Sequence, residues 1–118
     1  PNVLTEKDIA LMAPRSIVFA LSNPDPEIDP DVARKYATIV ATGRSDNPNQ
    51  INNVLAFPGI FRGLLDSGKN KITDKMLINA ANALAACVKT EELSSEFIIP
   101  SVFNAEVVKA IASTIAYS

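Results

Sequence analysis

Ser16-Ile17-Val18-Phe19-Ala20-Leu21, then Asn23-Pro24-Asp25-Pro26, Asp29-Pro30 and Thr38-Ile39-Val40-Ala41-Thr42-Gly43, follow one another in a single short stretch. The first run is apolar without polar alternation, the pattern of a strand buried on both faces of a parallel sheet. Two prolines then remove backbone donors and fix the chain at alternate positions, so a rigid loop replaces further strand. Asp29 before Pro30 is a helix start. Its carboxylate can cap while proline fills the first turn, where a missing N–H costs nothing. A helix is expected from about Asp31 to Ala37. Thr38 to Thr42 is brief and β-branched, and Gly43 closes it. Strand, helix and strand at this spacing make a compact parallel βαβ unit.

Outward from that unit, Thr5 with Glu6, Lys7 and Asp8 has the form of a capped helix start, Asp8 being placed to reach back, and Pro14 ends a helix running to about Ala13. Gly43 to Pro58 is polar, rich in asparagine and too long for a routine connection. After Phe57-Pro58-Gly59 a helix is expected to about Leu65, with Gly68 punctuating its end. Thr73 caps a long amphipathic helix whose core stripe is read as Leu77, Ala81, Leu84 and Val88. Alanines at 80, 81, 83, 85 and 86 allow a neighbour to approach closely. Thr90 to Leu93 begins a short turn of helix, Ile98-Ile99-Pro100 crosses the surface, and Asn104 caps a last helix carrying Val107, Val108, Ile111 and Ile115. The fold class is α/β: a partial Rossmann-like parallel sheet with flanking helices and a helical C-terminal region. Two strands do not make a stable parallel sheet covered on both faces, so further strands are expected from another segment. The start at Pro1, without an initiator methionine, also reads as a fragment.

Composition narrows the chemistry. The 118 residues are 47% hydrophobic, enough for a real core in one domain, and 11 basic against 13 acidic residues give a net charge of -2. That balance argues against a nucleic-acid or polybasic membrane surface. No apolar run approaches the ~20 residues of a bilayer-spanning helix. One cysteine, Cys87, excludes an internal disulfide and agrees with a reducing, cytoplasmic setting. Histidine is absent, so no imidazole serves as base, relay or metal ligand. There is no cysteine pair for zinc, no glycine-lysine phosphate loop and no dinucleotide fingerprint; Asp66-Ser67-Gly68-Lys69 reads as a turn. A nucleotide pyrophosphate would have to be held mainly by residues outside this chain.

In open parallel sheets ligands bind beyond the carboxyl ends of the strands, and both such ends here run into polar loops. The first offers Ser22-Asn23 and the second leads to Asn52-Asn53. An asparagine amide carries donor and acceptor without charge, so it can hold a carboxylate or carboxamide without shifting nearby pKa values. Such amides orient rather than transfer protons. The competing reading is that they stabilise turns and cap helices, as loop asparagines commonly do. Arg44 is expected to pair with Asp46 rather than with a ligand. Tyr36 and Tyr117 read as packing or surface residues, Lys69 and Lys71 as solvated, and Cys87 as a small core residue. Asp25 and Glu27 follow the Asn23 loop and are within reach of a metal, but no pattern asks that role of them.

Phe19-Ala20-Leu21-Ser22-Asn23-Pro24, Ala41-Thr42-Gly43-Arg44-Ser45-Asp46, Pro48-Asn49-Gln50 and Asn52-Asn53-Val54-Leu55-Ala56-Phe57-Pro58-Gly59-Ile60-Phe61-Arg62-Gly63 closely resemble, in order and spacing, the shorter malic enzymes of bacterial type. Weaker resemblance extends from Val3-Leu4-Thr5 to Ile99-Pro100-Ser101 and the terminal helix. One departure stands out: Asn47 occupies a position where the family pattern has tyrosine. The resemblance implies that residues 1–118 are the C-terminal part of an NAD(P)-binding domain. The whole enzyme would oxidise malate with NAD or NADP and a divalent metal, magnesium or manganese, and release carbon dioxide to give pyruvate. By the resemblance the metal ligands, a lysine base and a tyrosine acid all precede Pro1. Asn23 would then bind substrate and lie near the nicotinamide, and Asn52 and Asn53 would add an amide to the substrate carboxylate, Asn53 also nearing the cofactor. An N-terminal portion of the same enzyme is the implied partner, together with further copies in a homo-oligomer. A non-catalytic Rossmann-like binding module is the alternative. The residue that separates NAD from NADP is expected on an earlier strand.

Overall fold

The structure is a computed structural model that describes all 118 residues. It resolves into two compact units, Pro1–Ile51 with Ser94–Ile98, and Asn52–Leu93 with Ile99–Ser118.

The first unit contains the βαβ element. Helix α1, Glu6–Ala10, begins at Thr5 in a capping box: Thr5 N–H donates to Asp8 Oδ2 at 2.7 Å and Asp8 N–H to Thr5 Oγ1 at 3.4 Å. Strands β1, Ile17–Ala20, and β2, Ile39–Thr42, pair in parallel, from Ile17 opposite Ile39 to Ala20 opposite Thr42. Helix α2, Pro30–Ala33, lies between them in sequence, with Asp29 Oδ1 accepting from Asp31 N–H at 2.8 Å and Pro30 in its first turn. It is shorter than expected because Lys35 and Tyr36 bond three residues back, to Val32 and Ala33, tightening the chain into turns. Ile9, Val18, Ala20, Ile28, Ala33, Ala37 and Val40 form the core.

One expectation is corrected here. β1 is covered on one face only: Val18 and Ala20 are buried, whereas Ile17 and Phe19 are 55% and 53% exposed. An unbroken apolar run carries no alternation from which the covered face could be read. β2, by contrast, buries Val40, Ala41 and Thr42 in succession.

The second unit is helical. A 3₁₀ turn at Asn53–Leu55 leads into helix α3, Phe57–Ser67, which stops at Gly68 in the left-handed conformation (φ 69°). Helix α4, Asp74–Ala86, starts at Thr73, whose hydroxyl accepts from Met76 N–H at 3.2 Å. Helix α5 is Glu106–Ala116, and Asn104 Oδ1 accepts from Glu106 N–H at 3.0 Å. Leu55, Ile60, Met76, Ala80, Val107, Ile111 and Ile115 make the core, with Ala83, Leu84 and Cys87 packed against it. The stripe of α4 is thus Met76, Ala80, Ala83, Leu84 and Cys87, turned by one residue from the expected set; Leu77 and Ala81 face outward. Both sets have the same spacing, so periodicity alone does not choose between two apolar faces. No helix is long and apolar enough to cross a membrane.

The closest packing in this unit is between α3 and α5. A Cβ on Gly63 would lie 2.6 Å from Ile115 Cβ and 2.7 Å from the Ala112 carbonyl oxygen. Gly63→Ala is expected to lower stability by about 1–3 kcal/mol through overpacking. Gly43→Ala, whose added carbon meets only Ile51 O at 3.8 Å, should be near neutral. Urea or thermal unfolding of the two variants checks the contrast.

Candidate functional site

Beyond β1 the chain passes through Leu21 and Ser22 to Asn23, all exposed. The Asn23-Pro24 peptide is cis. Ser22 N–H donates to Glu27 Oε1 at 2.8 Å and to Oε2 at 3.2 Å, and Ser22 Oγ–H donates to Oε1 at 2.7 Å. The Ser22 hydroxyl bond, with the backbone bonds and against the opposing effect of burial, lowers the pKa of the Glu27 carboxyl. Glu27 therefore turns toward its own loop. Pro26 and Ile28 on either side of it are buried, and the Pro26 and Glu27 carbonyls accept from Asn2 and Leu4 N–H at 3.1 and 3.0 Å. The Asn23 amide stands free at the crest.

Beyond β2 the loop is organised from its base. Thr42 is fully buried; its hydroxyl accepts from Arg44 N–H at 3.1 Å and its carbonyl from Ile51 N–H at 2.8 Å. The long excursion from Gly43 thus returns to the end of β2 at Ile51. Asn49, 6% exposed and left-handed (φ 56°), ties it down: Nδ2 donates to the Val40 and Ser95 carbonyls at 3.1 and 2.9 Å, and Oδ1 accepts from Ile98 N–H at 2.9 Å. Sequence reading did not single this residue out. Its signal was an asparagine within a loop too long to stand unsupported.

Arg44 grips Asp46 with two bonds, Nε to Oδ1 at 2.8 Å and Nη2 to Oδ2 at 2.6 Å, as expected. The Arg44 guanidinium, with help from Asn47, lowers the Asp46 carboxyl to about 2. Asn47 donates to Asp46 Oδ1 at 3.1 Å and accepts from Arg34 Nη2 at 2.8 Å, and Arg34 also meets Asp31 at 2.6 Å. This chain of polar contacts lines a cleft of about 490 Å³ with Asp25 and Asp29. None of Asn23, Asn52 and Asn53 lines it.

Asn52 and Asn53 follow Ile51 at the opening of the second unit, both exposed. They differ in chemistry. Asn52 Oδ1 accepts from Val54 N–H at 3.0 Å and caps the 3₁₀ turn, while the Asn53 amide remains free at both ends. Among the other candidates, Tyr36 donates its hydroxyl to Glu6 at 2.9 Å. Cys87 is half-buried, and desolvation raises its thiol pKa. Lys69 is not solvated as expected: its ammonium donates to the carbonyls of Ile115, at 3.3 Å, and Ser118, an arrangement that closes the C-terminal end of α5. No group of three histidine, cysteine, aspartate or glutamate side chains converges to hold a metal ion.

The family model described as "Malic enzyme, NAD binding domain" matches residues 2–118. The NAD-dependent malic enzyme of Geobacillus stearothermophilus is 51% identical over 115 residues, 98% of this chain and 24% of that protein. The NADP-dependent malic enzyme of Halomonas elongata is 39% identical over 132 aligned residues, 98% of this chain and 31% of that protein. The crystal structure of the malic enzyme from Pyrococcus horikoshii superposes with a TM-score of 0.93 at 53% identity, covering 99% of this chain and 27% of that one. The chain thus spans roughly a quarter to a third of the length of these relatives.

Two predictions come from the second loop. Asn49→Ala strands the Ile98 N–H and two carbonyls and leaves alanine in a left-handed backbone, so denaturation should show a loss of about 2 kcal/mol or more. For Asp46, a folded pKa near 2 lies below the unfolded value. Any stabilisation it lends is therefore fully present above about pH 3.9 and disappears as pH falls through about 2. Carbon-detected NMR should find its midpoint near 2, and Arg44→Gln should return it toward the ordinary carboxylate range.

Proposed function

The chain belongs to the malic enzyme family through its NAD-binding domain, and on that premise we propose that it orients malate and the nicotinamide for oxidative decarboxylation to pyruvate, using the amides of Asn23 and Asn53. The observation that carries this reading is that both side-chain amides are exposed and without a hydrogen-bond partner, Asn23 in the loop after β1 and Asn53 at the start of the 3₁₀ turn. Asn52 keeps its N–H donors for a ligand but commits its acceptor oxygen to a cap, so Asn53 is the better candidate for the second amide.

The donor set fits these groups. A neutral amide donates to the malate carboxylate and offers its oxygen to the carboxamide of a nicotinamide, without altering the charge of the pocket. When bound, the dinucleotide accepts the hydride from malate. Asn23 and Asn53 hold the acid in register with it, and fixed orientation of this kind contributes several kcal/mol to such steps, on the order of 7 or more in the best cases. On this reading the magnesium or manganese ion, the acid and the base are supplied by the N-terminal portion of the same enzyme. NAD and NADP both fit these amides. The enzyme is assigned to the cytoplasm and to a homo-oligomer, in keeping with its family.

In the full-length enzyme, Asn23→Ala and Asn53→Ala should each lower kcat/KM for malate about 30-fold or more, the value of a hydrogen bond to a charged carboxylate. Asn52→Ala should mainly cost stability, about 1 kcal/mol for a lost cap. Steady-state kinetics with Asn23→Ala within twofold of the parent enzyme would reject the assignment.

A further inference from the structure

We propose that Glu27 is a positioning residue for Asn23: its carboxylate, clamped onto Ser22, fixes the crest of the β1 loop so that the neighbouring amide is presented in one orientation. The inference rests on the reading of Asn23 as a substrate-contacting residue and deepens it.

The geometry gives the loop two limbs. The outgoing limb, Leu21 to Asn23, is exposed and lies beyond the last rung of the ladder at Ala20, so β-sheet hydrogen bonding no longer restrains it. The return limb is firmly held. Pro26 and Ile28 are buried, and the carbonyls of Pro26 and Glu27 accept from Asn2 and Leu4. Glu27 is therefore a fixed point, and its carboxylate reaches across to take both donors of Ser22, the amide N–H at 2.8 Å and the hydroxyl at 2.7 Å. Those bonds join the exposed outgoing limb to the anchored return limb directly beside Asn23. Hydrogen bonds to an ionised acceptor are the stronger kind, and a misplacement of about 1 Å in a reacting complex can cost up to ~100-fold in rate. A residue without a side-chain acceptor in place of Glu27 would keep the fold of the return limb while leaving Ser22, and Asn23 after it, loosely held.

The test is a double-mutant cycle in the full-length enzyme, read as kcat/KM for malate with thermal melting alongside. Glu27→Ala is expected to lower kcat/KM about tenfold, the effect of roughly one charge-assisted hydrogen bond. In an Asn23→Ala background the same change should have no further effect, because there is no amide left to position. Glu27→Gln should stay within about threefold of the parent, since Oε1 alone can accept from both Ser22 donors. Ser22→Ala, which keeps the N–H but loses the hydroxyl, serves if Glu27→Ala does not fold, and should give a smaller loss that also vanishes in the Asn23→Ala background. Equal losses in both backgrounds, or Glu27→Ala within twofold of the parent while Asn23→Ala is strongly impaired, would overturn the positioning role and leave the amide assignment standing. An Asn23→Ala enzyme with unchanged kinetics would remove both.

Discussion

A four-rung parallel ladder, Ile17–Ala20 on Ile39–Thr42, brings the carboxyl ends of both strands to one edge of the sheet. The two polar loops of the first unit both follow from that pairing. Parallel strands present their last carbonyls and the loops beyond them on the same side, and those loops must satisfy their polar groups without further ladder. Here the first loop does so through Ser22 and Glu27, the second through Thr42, Asn49 and Ile51. With these backbone groups settled internally, the Asn23 side chain at the crest of the first loop is left without a hydrogen-bond partner.

Much of this was legible in the sequence, and for identifiable reasons. The βαβ unit was readable because each boundary carried its own chemistry: Asp29 before Pro30 caps α2, paired prolines end β1, and Thr5 with Asp8 caps α1. The Arg44–Asp46 pair was readable because two complementary forks separated by one residue in a loop reach each other locally. What sequence left undecided was rotational or long-range. The apolar run at β1 did not say that only Val18 and Ala20 face a layer of this chain, and α4 offered two apolar stripes of equal period. Lys69, which reaches the end of α5, and Asn49, which spans to Ser95 and Ile98, act on partners more than forty residues away. No local pattern announces such partners.

Asparagine serves three different ends in one short region. Asn49 is buried and structural, Asn52 caps a turn, and Asn53 is unengaged. The general expectation that loop asparagines support turns is right for the first two. Residue type alone could not sort them; burial and hydrogen-bond accounting do. Asn47 adds a fourth use by linking Arg34 to Asp46 across the polar cleft, its amide donating through nitrogen and accepting through oxygen.

The half-covered strand carries a practical corollary. Ile17, Phe19 and Leu21 stand on the open side of β1, and the outer edge of that strand has no ladder partner. Greasy side chains next to unmatched amide and carbonyl groups form a template for pairing with any extended peptide that arrives. At high concentration the chain is expected to stick to its own kind through this face, and a charged substitution such as Phe19→Lys is expected to keep it in solution.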